Sequence, residues 1–291
     1  MTANPFLIRY FKKKMYKLRD WINPDLIDWY YSSSDPKAVS FLEKNPRHII
    51  WKGLSKNPAA VHLLKERRSW SFLCQNPSAL HIIRKNPAKI NWFYFSENEN
   101  VSAIPIFREN LDKIYWNLLS ANPAAIHLLT QNPEKIHWTN LSLNPAAIQL
   151  LEANPEKIDW NYLSINPAAI QLLEANPEKI DWFQLSSNPA AIHLLQENPD
   201  KIHWTNLSAN PAAIHILEAN PEKINWFRLS NNPAAMHLLE QNQDKIDWLV
   251  LSQNTGIFDY DYKAMTRPFT EELMANRFHP DNLNKFEAWG F

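Results

Sequence analysis

The side chains in this chain that could do chemistry recur on a fixed beat, and that beat decides what they can do. Histidines stand at His62, His81, His127, His193, His215 and His237, each directly after an apolar residue. A shared metal ion would need its ligands about 2.0 to 2.1 Å away. Packed helices lie about 8 to 10 Å apart, so successive members of this column are too distant to share one. Gln149 and Gln171 fill the same position, which points to a polar, part-exposed role. His137 and His203 could approach a neighbouring column, although nothing in the spacing requires it. Lysines form a second row, from Lys89, Lys113 and Lys135 through Lys157, Lys179 and Lys201 to Lys223 and Lys245. Such a row could track a polyanion. In the regular repeats, however, an acid stands immediately before the lysine, as at Glu134, Glu156, Glu178, Asp200 and Glu222. These acids suit the positive end of a helix dipole and largely neutralise the row, so a solvated mixed-charge face is expected. Ser142, Ser164 and their equivalents repeat too, and a repeated hydroxyl is a poor candidate for a unique nucleophile. A hydrogen bond near the next Asn suits it better. Asp259, Asp261, Glu271, Glu272 and His279 are non-repeated polar residues near the C-terminal end, and their spacing demands no site. No catalytic, metal or cofactor-binding residue is assigned, and an enzyme is not expected.

These columns are positioned by an internal repeat. The tetrapeptide NPAA starts at Asn122, Asn144, Asn166, Asn188, Asn210 and Asn232, and a Trp keeps the same 22-residue rhythm at Trp116, Trp138, Trp160, Trp182, Trp204, Trp226 and Trp248. Upstream the pattern drifts through Trp29, Trp51, Trp70 and Trp92, where one unit is shorter by three residues and another longer by two. The consensus is NPAAIHLLEANPEKIDWxxLSx. Each unit holds two Asn-Pro pairs: Asn is a strong helix N-cap, and Pro is tolerated at the first helical position. Asn also tolerates the left-handed conformation that ends helices, so one Asn could close one helix and cap the next. The pattern therefore predicts two short helices per unit, with α and 3₁₀ forms both open to the second.

Helices this short are marginal alone and must be held by their neighbours. Ala147, Ile148, Leu151, Ile158, Trp160 and Leu163 recur in register, and stacking them would bury continuous columns. The fold class expected is all-α: a solenoid of about ten two-helix repeats over residues 35–253. Residues 1–34 would form a basic amphipathic cap with a partial repeat, and residues 254–291 a second cap with a helix over 270–278. Ten stacked units would make a curved rod on the order of 100 Å long.

Composition narrows the functions further. Gly is only 3 of 291 residues, against a typical share of about 7%, and no Gly-rich phosphate cradle occurs. The formal net charge is zero, which argues against wholesale attraction to nucleic acid or anionic lipid. The single cysteine, Cys74, excludes an internal disulfide. No apolar run approaches the length of a membrane span, and basic residues interrupt the N-terminal apolar stretch too early for a signal peptide. An intracellular or virion-internal protein is expected, not a secreted one.

The paired Asn-Pro motifs, the Ile158-x-Trp160 of the second half and Leu163-Ser164 before the next Asn resemble short tandem repeats in protein sets encoded by giant DNA viruses. The tail, with Glu272-Leu273-Met274-Ala275, His279-Pro280 and 286–291, resembles their closing segment. The alternation is similar in architecture to leucine-rich variant repeats, which alternate α and 3₁₀ helices. The resemblance implies a non-enzymatic protein.

Trp138, Trp160, Trp182, Trp204, Trp226 and Trp248 are read as packing residues, not as base-stacking ones. The positions flanking each Trp vary between units, and solenoids commonly recognise partners through such positions. Phe93, Tyr94, Tyr162, Phe183, Phe227 and Arg228 are the candidates for partner contact. The expected function is a scaffold or adaptor for a host or viral protein. A virion structural component is the alternative, and contact with nucleic acid is a lesser one.

Overall fold

The computed structural model describes residues 15–64 and 67–267. The segments 1–14 and 268–291, with Glu271, Glu272, His279, the 270–278 helix and the tail motif, lie outside the described residues. The chain is an α-solenoid in which each unit is built from four short helical pieces rather than two. In the unit opened by Asn144 these are a 3₁₀ turn Pro145–Ala147, an α-helix Ile148–Glu152, a 3₁₀ turn Pro155–Lys157 and an α-helix Trp160–Ile165.

The two Asn-Pro pairs do different work. Asn144 is extended, and its Oδ1 accepts from the N–H of Ala146 at 2.9 Å, an N-cap in the expected sense. Its Nδ2 meanwhile donates to the carbonyls of Ser120 and Asn122 in the preceding unit, at 3.0 and 3.1 Å. Asn154 makes no N-cap bond and sits at φ −139°, ψ 60°, not in the left-handed region. Its Nδ2 reaches back to the carbonyl of Leu150 at 2.9 Å and closes the first helix. The left-handed ending expected from the sequence is absent because the side-chain amide satisfies the orphan carbonyl directly.

Between units the joint has a fixed design. Ten asparagines, from Asn57 to Asn254, each donate to two backbone carbonyls one unit back, forming a buried ladder. Ser142 and its equivalents have a more specific job than bonding near the next Asn. Ser142 Oγ donates to the carbonyl of Trp138 and accepts from the N–H of Asp159, the residue before the next unit's Trp. Around these polar rails the apolar columns are closed: Ala147, Leu151 and Leu163 are all 0% exposed. At about 1.5 to 3 kcal/mol for burying a Leu fully, these columns hold helices that could not stand alone.

The stack is not an open rod, because its last unit meets its first. Eleven Trp helices run from Trp29–Ser32 to Trp248–Leu251. The Ser-to-N–H bond that joins successive units also joins the ends: the N–H of Asp28 donates to Ser252 Oγ at 2.8 Å. Counting Cys74 in the Ser position, the bond is made at all eleven joints, and the cycle is complete. A full turn shared over eleven joints is 360°/11, about 33° per joint. Trp helices of successive units approach closely whereas the Ile148–Glu152-type helices do not, which sets the Trp helices on the inner side of the curve.

Both chain ends build the closing unit. Asn254 caps a 3₁₀ turn Thr255–Ile257, after which the chain leaves the repeat as strand β2 (Phe258–Tyr260). β1 (Tyr16–Leu18) pairs antiparallel with it, with Tyr16 opposite Tyr260 and Leu18 opposite Phe258. The chain then re-enters the repeat through Asn23 and the turn Pro24–Leu26. The two ends, expected as separate caps, therefore close on each other. Gly256 sits in this seam, where a Cβ would lie 2.8 Å from the carbonyl oxygen of Pro233, and Gly53 sits where a Cβ would lie 2.2 Å from that of Tyr30. These two glycines stand where neighbouring units leave no room.

Candidate interaction surfaces of the ring

The repeated Trp side chains are half-buried, Trp29 alone being fully so. Their free faces are covered by the lysine row. Lys157 lies 4.5 Å above Trp138, Lys201 4.4 Å above Trp182, Lys223 4.3 Å above Trp204 and Lys245 4.6 Å above Trp226. Each ammonium thus caps the indole of the preceding unit, a contact worth about 0.5 to 1 kcal/mol at an exposed site. The sequence shows both columns, and the 19-residue offset between Trp and the next Lys is the signal that pairs them. The lysine row is solvated, as expected, but it also has this inter-unit role.

On the outer side the histidines bridge units as well. His62 meets Glu43 at 3.0 Å, His193 meets Glu174 at 2.7 Å and His237 meets Glu218 at 2.7 Å, all exposed. His137 caps its own Trp helix, its Nδ1 accepting from the N–H of Asn140. His203 instead lies against the ring of Phe183, 4.4 Å between centroids, with its Nδ1 buried and unpartnered. Among the described residues no three His, Cys, Asp or Glu side chains gather as a metal ion would need. Clefts between units repeat the same lining. One, of about 420 Å³, lies between Glu174, Trp182, His193 and Lys201. Its counterpart, of about 620 Å³, lies between Arg84, Trp92, Ile106 and Lys113.

The variable positions after each Trp stand on the Trp-helix side. Phe93 is 42% exposed, Tyr162 41%, Phe183 51% and Phe227 55%. Arg228 is exposed and Tyr94 half-buried. Leu249, at 59%, belongs to the same set and was not among the candidates. No ring contact joins Tyr162, Phe183 and Phe227 among the described residues, so they form separate steps rather than one patch.

Phe93 and Tyr94 are different. Their rings touch at 5.2 Å, Phe93 also meets Tyr115 at 5.3 Å, and Tyr94 meets Phe72 at 5.2 Å. Lys52 bridges Phe72 and Tyr30, at 5.1 and 5.8 Å, and Lys56 lies 5.2 Å from Phe72. Tyr30 in turn meets Tyr31. A continuous ribbon of rings and ammonium groups thus crosses the first units of the ring.

The same sector carries an unbalanced charge that the zero total conceals. Residues 44–96 hold ten Lys and Arg (44, 47, 52, 56, 65, 67, 68, 84, 85 and 89) and one acid, Glu66, a net of +9. Residues 97–253 hold nine basic and eighteen acidic side chains, a net of −9. The acid that precedes each lysine in the regular arc is replaced here by Arg47 and Ala88. Summing charge over windows rather than the whole chain would have found this split.

Among the described residues no helix is long and apolar enough to cross a membrane. No family model, curated protein or solved structure matches the chain.

Proposed function

We propose that this protein is a non-enzymatic adaptor that binds a protein partner through the variable positions on the Trp-helix side of its regular arc. The observation that carries this reading is the contrast within each unit. The Asn, Ser, Leu and Trp positions are held by joints that repeat almost unchanged, while Tyr162, Phe183, Phe227 and Arg228 are exposed and differ from unit to unit. Exposed aromatic and Arg side chains are the types that supply most of the energy of protein interfaces. On this reading, and following the resemblance to repeat proteins of giant viruses, it works in the host cytoplasm or virus factory, or within the particle.

The test is a crosslinking pull-down from infected cells with the full chain and with a Tyr162→Ala, Phe183→Ala, Phe227→Ala triple variant. A partner held by the wild type and lost by the folded variant supports the reading. Capsid proteins recovered in fixed ratio with both chains would replace the adaptor role with a structural one.

A further inference from the structure

We propose a second site, in the first third of the ring, that binds single-stranded nucleic acid without sequence preference. Such ligands are held by a positively charged track for the backbone together with aromatic faces on which bases stack. The ribbon offers both: Lys52 and Lys56 stand beside Phe72 at one end, and Phe72, Tyr94, Phe93 and Tyr115 follow in succession, with contacts of 5.1 to 5.3 Å leading from one unit to the next. Its outer members are free to receive a base: Tyr31 is 40% exposed, Phe93 42% and Tyr115 47%. An ammonium above a ring keeps its charge and its other N–H groups, so Lys52 can contact a phosphate from where it stands.

The acidic arc does not cancel this field. Units stand about 8 to 10 Å apart, and the Debye length at physiological salt is about 8 Å. Charges several units away are therefore screened, and the ligand meets the basic surplus of residues 44–96 rather than the overall zero, although Asp112 of the next unit lines the same cleft as Phe93 and Tyr115. The ligand class follows from the rings. A duplex hides its base faces within its own stack and would leave the aromatic side chains unused, whereas a single strand presents them.

The site is separate from the adaptor surface proposed above, and the experiment keeps the two apart. Fluorescein-labelled dT12 and U12 are titrated against the full chain at 50 and 200 mM salt, with binding read by anisotropy. Saturable binding is expected, weakening about 50-fold between the two salts if four phosphates are neutralised. Tyr31→Ala and Phe93→Ala should each weaken it about tenfold. The Lys52→Ala, Lys56→Ala pair should weaken it and flatten the salt dependence by about 1.4 units of log–log slope. Phe183→Ala and Phe227→Ala, on the acidic arc, should leave it unchanged. Melting curves confirm that each variant is folded, and Phe93→Leu, which keeps apolar bulk without the ring, replaces any alanine variant that is not. No saturable binding at 50 mM salt would overturn the proposal. So would ring variants that bind like the wild type, or competition by polyglutamate as effective as by unlabelled dT12, which would make the ligand an acidic protein.

Discussion

Ten joints of this ring and its seam solve the same problem with different parts. At the joint between the units of Trp138 and Trp160, one chain runs straight through, and Asn166 alone supplies two donors and one acceptor. At the seam the equivalent residue is Asp35, whose Oδ1 still accepts from the N–H of Lys37 at 2.8 Å but which has no amide to donate. The carbonyl of Ser252 is met instead by Ser32 Oγ at 3.3 Å, and that of Thr255 by Lys37 Nζ at 2.9 Å. Arg19 donates from Nε to Gly256 and pairs with Asp259, and Tyr16 stacks on Tyr260. A repeat joint needs only two small polar side chains, the Asn and the Ser that accepts the N–H before the next Trp, because the backbone already delivers them. A joint between distant chain ends must also offset the loop-closure entropy, and it recruits a strand pair, ion pairs and stacked rings.

The largest effect should come from removing the strand. Deleting residues 1–22 removes β1 together with Leu18 and Ile22, both buried. At about 1.5 to 3 kcal/mol per buried aliphatic side chain, the loss should be at least about 3 kcal/mol by urea denaturation. Small-angle scattering should show a larger radius of gyration as the ring opens. An unchanged radius would mean that the joints alone hold the closed curvature.

Exchanging the two residues sharpens the comparison. Asn166→Asp removes two donors from buried carbonyls and adds a carboxylate, and should cost about 3 kcal/mol. Asp35→Asn restores the missing rung to Ser252 and Asn254 and should stabilise by about 1 kcal/mol. If both substitutions destabilise equally, the seam depends on its carboxylate, and the analogy with the regular joint fails.

The same Asp35 makes the seam sensitive to pH. Burial holds its carboxyl above the usual carboxylate value, against the lowering pull of the Lys37 N–H and charge. A group whose folded pKa is raised binds more protons when folded, so its contribution is favourable at low pH and is lost as pH rises through the raised value. Wild-type stability should therefore fall as pH climbs out of the ordinary carboxylate range, relative to Asp35→Asn, whose curve should be flatter there. Parallel curves for the two proteins would remove Asp35 as the cause.

How much of this could be read from the sequence depends on whether one residue had one task. The Trp and Asn-Pro columns announce themselves by spacing, and the packing roles of Leu151, Leu163 and Trp160 follow from period and type. Asn144 was legible only by half: N-capping is a local property, but its amide bonds to Ser120 and Asn122 need the curvature of the stack. The closing unit was legible only in part: Asn23-Pro24 and Ile27-Asp28-Trp29 keep the repeat, but the strand at 16–18 and residues 255–260, which close it, do not match the consensus. Phe93 and Tyr94 were visible as variable positions. Their ribbon was not, since its lysines come from units whose length had drifted.

The smallest effect concerns the one joint whose hydroxyl is replaced. Cys74 occupies the Ser position, fully buried, and its Sγ accepts the N–H of Asn91 at 3.4 Å, where Ser164 Oγ accepts that of Asp181 at 3.0 Å. Sulfur is a weak acceptor, and burial raises the thiol's pKa, so no thiolate strengthens the bond at neutral pH. Cys74→Ser should recover a normal hydrogen bond to Asn91 and a second one to the carbonyl of Trp70, as Ser164 has with Trp160. Against this stands the smaller volume of oxygen in a site packed for sulfur. The gain should therefore be below about 1 kcal/mol, measured as a shift in urea midpoint at constant slope. A loss of similar size would show that packing, not the hydrogen bond, decides this joint.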